Sequence, residues 1–162
     1  MTGGANRRVS LAALIAIKPG CRLRLIYRVH HARRRRNDAR KGFTETGYAR
    51  LLDDARQQLG GPLVVVWDNS NTHTSDAMIA LIAARDWLTV YRLPPYAHEL
   101  NPVELVWSHL KRSLANLAKR NLGQLAALIK TRLKRMQYRP GLIDGFLAST
   151  GLDFTPLCNP HP

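Results

Sequence analysis

The sequence predicts a single α/β domain with a mixed β-sheet. Strand-length apolar or alternating segments are separated by segments in which apolar residues recur at helical spacing. The 162 residues are enough for one domain with a sizeable core, but not for two comfortable ones. The expected order is two hairpin strands, helix, strand, helix, strand, helix and helix.

Residues 8–30 are predicted to form a hairpin. An apolar segment, residues 9–17, ends at Lys18-Pro19-Gly20, and in the second strand leucines, Tyr27 and Val29 alternate with arginines. This alternation predicts one solvated, basic face at the outer part of the sheet. Residues 31–42 are predicted to be a mobile basic loop. Its charge run is Arg33, Arg34, Arg35 and Arg36.

A helix and a strand follow the basic loop. Thr44 is a suitable helix N-cap, apolar residues recur at helical spacing from Tyr48 to Leu59, and Gly60-Gly61-Pro62 ends the helix. Residues 63–67 are apolar at every position, which predicts a central strand covered on both faces. Few other strands in the sequence could supply its two neighbours. With Asp68, residues 63–68 form the acid-bearing strand.

The second half is predicted to be mostly helical. A short helix over residues 74–85 precedes a strand at 88–93, which Pro94-Pro95 ends. An acid-bearing helix covers 102–118, and an amphipathic helix covers 122–136. The domain is expected to span residues 1–150, and the proline-containing residues 151–162 are expected to be a disordered tail.

The composition points to a polyanionic partner. Lys and Arg number 25 against 11 Asp and Glu, a net charge of +14. Nucleic acid is the leading candidate, an anionic membrane is the competitor, and a charge that serves only solubility is the third possibility. Two cysteines outside any CxxC pair indicate a reducing compartment, and no apolar segment is long enough to span a membrane. A cytoplasmic, nucleoid-associated protein is therefore expected.

Asp68 is the first candidate functional residue. It follows the apolar strand directly, at the end where α/β sheets place reactive groups, so it could hold a metal on a rigid element. It could equally form an Asx-turn or cap a helix. Position alone leaves both interpretations open.

Glu104 is the second candidate. Asn101, Pro102 and Glu104 fit the N-cap, N1 and N3 positions of a capping box, which would explain the acid without catalysis. However, the carboxylate also heads a polar helix face with Lys111 and Arg112. Both interpretations stay open here as well.

The two acid-bearing segments together resemble a known family. VVVWDNSNTHTS and LPPYAHELNPVELVWSHLKR resemble the second and third acidic motifs of the DDE-superfamily endonuclease domain of bacterial insertion-sequence transposases, relatives of the mariner type. The resemblance covers about residues 7–136. It implies an RNase-H-like fold in which three carboxylates hold two Mg²⁺ or Mn²⁺ ions and DNA strands are cleaved and transferred.

The resemblance also implies roles for particular residues. Asp68 would be the second catalytic and metal-binding acid and Glu104 the third, with Asn69, His73 and Asn101 in support. The active complex would be a homo-oligomer on the element ends and target DNA. Contacts to DNA phosphates would come from the basic loop and the acid-bearing helix, through Arg33, Arg34, Arg35, Arg36, Lys111 and Arg112.

One departure from the family pattern is large. The first central strand, with the first aspartate, is not found, and Asp38, Asp53 and Asp54 lie in the wrong elements to replace it. We therefore expect the C-terminal part of a transposase catalytic domain, inactive until that strand is supplied. The upstream half of a split transposase is the candidate partner. The alternatives are a transposase remnant and a non-catalytic basic nucleic-acid-binding protein.

Overall fold

The computed structural model describes residues 9–31, 42–115 and 122–154. The described helices and strands follow the predicted order, with two helices between β3 and β4 and one more after α5. They are β1 (Val9–Ala16), β2 (Arg24–His31), α1 (Glu45–Leu59), β3 (Leu63–Trp67), α2 (Asn71–Thr74), α3 (Asp76–Ala83), β4 (Leu88–Arg92), α4 (Val103–Leu114), α5 (Leu122–Gln137) and α6 (Pro140–Ala148).

The described strands form two separate pairs. β1 and β2 are antiparallel, from Val9 opposite His31 to Ala16 opposite Arg24, as the predicted hairpin requires. β3 and β4 are parallel, and Leu63 lies opposite Leu88. The predicted mixed sheet is therefore present in two pieces, because no described strand joins β1 to β3. Each of these two strands has one edge without a described neighbour.

Helix α1 packs against both pairs. One core cluster, here called the first core, combines buried residues of α1 with residues of all four strands and α3. Its members are Ala12, Ala16, Ile26, Leu51, Leu52, Ala55, Leu63, Trp67, Met78 and Leu88. The two strand pairs are therefore held on one helix, although they share no hydrogen-bonded ladder.

The other face of the hairpin packs on α4, α5 and α6. The buried residues at this contact form the second core. Leu23 and Leu25 of the hairpin meet Val106 of α4, Leu133 of α5 and Ile143 of α6. Helix α6 was not predicted, since Pro140, Gly141 and Gly145 favour a loop in the sequence. Proline is tolerated in the first helical turn, and the buried apolar residues supply the packing.

The prediction that β3 is covered on both faces was wrong. The side chains of Val64 and Val66 are 70% and 58% exposed, while Leu63 and Trp67 are buried. Only one face of this strand pair contributes to the first core. Tyr91, opposite Val66, is also exposed, so the outer face carries an apolar surface.

The solvated basic face predicted for the hairpin is present only in part, since Arg24 is exposed but α1 covers the middle of the face. Ile26 lies between the arginines on that face and is buried in the first core. Arg24 Nη1 donates to the Gln58 carbonyl oxygen at 2.8 Å, and Arg28 Nε donates to Asp54 Oδ2 at 2.7 Å. The bond to Asp54 raises the pKa of Arg28. Both arginines thus tie the hairpin to α1, which lies over this face.

The local capping predictions for α1 are confirmed. Thr44 Oγ1 accepts a hydrogen bond from the Gly47 N–H at 3.2 Å. Gly60 ends the helix with φ of 72°, a conformation that glycine adopts without strain. Asp53 and Asp54 lie on this helix, as expected, and pair with Arg85 and Arg28.

Other boundaries differ from the predictions. The helix expected over residues 74–85 is instead α2 and α3, and Ser75 Oγ caps α3 by accepting from the Met78 N–H at 3.2 Å. Arg33 to Arg36, Asp38, residues 116–118 of the predicted acid-bearing helix and most of the predicted tail lie outside the described residues. None of the described helices is long and apolar enough to cross a membrane.

Candidate active site

Asp68 lies immediately after β3, where its carboxylate is half-exposed and held at one oxygen. Oδ1 accepts from the Ser70 N–H at 3.0 Å and from His73 Nδ1 at 2.9 Å. Within the described residues, no hydrogen bond engages Oδ2. The Ser70 bond is the Asx-turn that was one of the two interpretations of this acid. It fixes one oxygen and leaves the other open, so the turn and a metal-binding role are compatible.

His73 is the buried partner of Asp68. Its ring stacks on Trp67 with centroids 4.2 Å apart and planes 7° apart, and it meets Tyr48 edge-on at 4.7 Å. Because an ionised carboxylate only accepts hydrogen bonds, the bond to Asp68 assigns a proton to Nδ1. Nε2 is buried without a hydrogen-bond partner in the described part of the chain. The aromatic contacts therefore fix the ring that orients the carboxylate.

Two further residues shape this end of the strand pair. Burial, followed by the negative charge of Asp68, raises the pKa of Tyr48, so its hydroxyl stays protonated. Asn69 Nδ2 donates to the Leu93 carbonyl oxygen at 2.8 Å, which ties the end of β3 to the end of β4. The structure thus gives Asn69 a bracing contact between strands.

Glu104 lies in the exposed first turn of α4. Asn101 Oδ1 accepts from the Val103 N–H at 3.1 Å, so Asn101 does cap the helix. The Asn101 N–H donates to the His98 carbonyl oxygen at 3.0 Å, and so the reciprocal Glu104 bond of a capping box is not made. No hydrogen bond from the described residues engages the Glu104 carboxylate. The capping-box interpretation therefore accounts for Asn101 but not for the acid.

The predicted site residues fall into two groups. Asp68 and His73 are in direct contact, and Asn69 adjoins them. Asn101 and Glu104 lie together at the start of α4, whose Lys111 and Arg112 are exposed. Among the described residues, no group of three or more His, Cys, Asp or Glu side chains could hold a metal. The hard oxygen donors suit Mg²⁺ or Mn²⁺, but two acids do not complete a three-carboxylate site.

Part of the support for Asp68 was not predicted from the sequence. Trp67 belongs to the apolar run that predicts a buried strand, and it is buried, but it also provides the stacking surface for His73. Tyr48 was assigned only to the apolar face of α1, although it also contacts the histidine ring. The adjacency of Trp67 and Asp68 was visible in the sequence, whereas the Tyr48 contact depends on a fold that joins distant segments.

The architecture defines the fold class. It is similar to solved structures of the catalytic domain of Mos1 mariner transposase, one of which covers 90% of this chain and 83% of that chain with a TM-score of 0.50 and 14% identity. Another, with raltegravir and Mg, has a TM-score of 0.53, 12% identity and coverage of 90% and 84%. A third, with raltegravir and Mn, has a TM-score of 0.52 and 15% identity. At such low identity these matches show the fold, which is RNase-H-like.

The family follows from the sequence match. Residues 10–129 match the DDE superfamily endonuclease family, and the chain belongs to it. No curated protein sequence matches significantly. The resemblance stated from the two acidic motifs is therefore confirmed at the level of the family and fold. The roles of individual residues stay predictions.

Proposed function

We propose that Asp68 and Glu104 are the second and third acids of a metal-dependent site for DNA strand cleavage and transfer. The supporting observation is the carboxylate of Asp68, which is held at Oδ1 by two hydrogen bonds and left open at Oδ2. A ligand on a rigid strand end, oriented by a buried histidine, is pre-organised for a cation. The proposed cofactors are two Mg²⁺ or Mn²⁺ ions.

Each residue has a specific part in the proposal. Ser70 and His73 hold Oδ1 and thereby aim Oδ2, while Glu104 presents its exposed carboxylate from the first turn of α4. Divalent ions bound by these acids would supply Lewis-acid stabilisation of the phosphodiester oxygens. Lys111 and Arg112, on the exposed side of α4, and Arg33 to Arg36 are proposed to contact DNA phosphates.

We further propose that the first acid comes from a strand outside these 162 residues that pairs between β1 and β3. Each of the four described strands has one edge without a described neighbour, and the first core joins α1 to residues of both β1 and β3. The order of strands in the family places the missing strand between β1 and β3 rather than beside β2 or β4. Exposed strand edges are usually covered or blunted. This strand could belong to an upstream segment of the same polypeptide or to a separate half of a split transposase. Without it, we expect this chain to show little or no strand cleavage.

A reconstitution experiment tests the proposal. The chain is assayed for Mn²⁺-dependent nicking of supercoiled plasmid, alone and joined to the strand encoded directly upstream. We expect nicking only in the joined protein, and its loss in Asp68→Asn and Glu104→Gln. Asp86→Asn, at an exposed aspartate of the turn before β4, is the matched control and should retain it. Nicking that persists in both acid variants would contradict the assignment.

A non-catalytic, basic nucleic-acid-binding protein, including a transposase remnant, is the second candidate. The net charge of +14 and the lack of a three-ligand metal cluster among the described residues favour it. It predicts DNA binding but no metal-dependent nicking in any joined form.

For the catalytic function, we further propose that the active complex is a homo-oligomer. Light scattering with and without duplex DNA tests this proposal.

A further inference from the structure

A groove of about 480 Å³ lies between β2 and α5. Its lining is Tyr27, Arg28 and Val29 from the strand and Lys130, Thr131 and Lys134 from the helix. Two hydrogen bonds hold its walls together. Tyr27 Oη donates to the Lys130 carbonyl oxygen at 3.4 Å, and Gln137 Nε2 donates to the Leu25 carbonyl oxygen at 2.6 Å. The groove is therefore part of the packed fold rather than a gap between loose segments.

The lining is cationic. Lys130 and Lys134 are exposed and one helical turn apart, so both ammonium groups project from the same side of α5. Arg28 also lines the groove, but its side chain lies on the α1 face of the hairpin, where Nε donates to Asp54. The cationic groups that we assign to the groove are therefore the two lysines. No described acid lines the groove.

The sequence around α5 contains no acidic residues that could pair with these lysines. Between Glu104 and Asp144 there are nine Lys and Arg residues and no Asp or Glu. Exposed helix lysines are commonly paired with acids three or four positions away, and α5 offers none. Concentrated like charge destabilises a compact protein by self-repulsion, so a bound polyanion would offset that repulsion.

We propose that this groove binds the phosphate backbone of duplex DNA. Lysine ammonium groups act as point charges on phosphate oxygens, and such contacts position a protein on DNA without reading its sequence. The choice of DNA over other polyanions rests on membership of the endonuclease family. Asp68, His73 and Glu104 do not line the groove, and the binding of phosphates by lysines needs no metal.

The test compares two double variants that remove equal charge. Lys130→Gln with Lys134→Gln neutralises the groove, and Arg22→Gln with Arg50→Gln neutralises two exposed arginines elsewhere. Glutamine is a good helix former, so α5 should persist, which circular dichroism checks. Affinity for a short labelled duplex is measured by fluorescence anisotropy in EDTA over a salt series.

The groove variant should reduce the slope of log K against log salt by about 1.8 and weaken binding about tenfold or more near 0.1 M salt. The arginine pair should change both quantities much less, and Lys130→Arg with Lys134→Arg should bind like the parent chain. Equal losses in the two neutralised variants would overturn the proposal. So would a groove variant that keeps DNA affinity but loses binding to phosphatidylserine vesicles. Because the assay contains EDTA, its result is independent of the proposed metal site.

Discussion

The most informative substitution at the candidate site is His73→Phe, compared with His73→Ala. Phenylalanine keeps a ring between Trp67 and Tyr48 but removes the donor to Asp68 Oδ1. Alanine removes both the ring and the donor. The pair of variants therefore separates the packing of this histidine from its bond to the carboxylate.

The expected magnitudes follow from the contacts. The histidine is 9% exposed, and losing a buried ring in contact with two aromatic neighbours should cost about 3–5 kcal/mol. A hydrogen bond to a charged group contributes about 1.5–3 kcal/mol. The Asp68 side chain is 37% exposed, so water can replace part of this bond. We therefore expect His73→Phe to cost only about 1 kcal/mol.

Urea unfolding followed by tryptophan fluorescence measures both values. With a slope of about 2 kcal/mol per molar, His73→Phe should lower the midpoint by about 0.5 M, and His73→Ala should lower it by about 1.5 M or more. Mn²⁺ binding, followed by electron paramagnetic resonance, should weaken in His73→Phe because the carboxylate loses its orienting donor. If phenylalanine destabilises the chain as much as alanine, or leaves Mn²⁺ binding unchanged, the division into packing and orientation is refuted.

Two other predictions concern stability. Arg85→Gln breaks the two-point pair with Asp53, whose bonds are 2.8 and 3.0 Å, and should cost about 0.5–1 kcal/mol at pH 7. Arg85 holds the pKa of Asp53 below its usual range, so this contribution exists above about pH 4 and is lost as the pH falls through the lowered value. If Arg85→Gln lowers the free energy of unfolding in urea equally at pH 7 and pH 3, this pH dependence is contradicted. Val64→Thr on the exposed face should change the free energy of unfolding by less than about 0.5 kcal/mol, whereas Val65→Thr should cost about 1–2 kcal/mol because it faces the first core. Similar melting temperatures for the two variants would count against the assigned faces of β3.

Locally encoded features were predictable from the sequence. The limits of α1 follow from Thr44 and Gly60, whose hydrogen bond and backbone angle involve only neighbouring residues. The hairpin follows from its Pro19-Gly20 turn, and the family follows from the motifs around Asp68 and Glu104. Turn and capping chemistry acts over a few residues, and so a sequence pattern can reveal it.

Which face of each strand is buried depended on contacts between distant segments of the chain. Val64 and Leu63 are both apolar, and only the position of α1 and α3 decides which of them is buried. Likewise, Arg28 fits a solvated strand in the sequence but binds Asp54 because α1 crosses that face. Burial depends on what packs opposite a residue, which is not a property of its own segment.

The sequence alone determined the family and the order of the main elements, and it predicted Asp68 and Glu104 as the acids that hold a metal. Only the tertiary structure decided how Asp68 is held, because His73 bonds its carboxylate while Tyr48, from a helix far away in the chain, helps to fix the ring. The structure also showed that the described strands form two separate pairs, with no described strand between β1 and β3. Strand pairing joins residues that are distant along the chain, and it therefore follows from the packing of the whole fold.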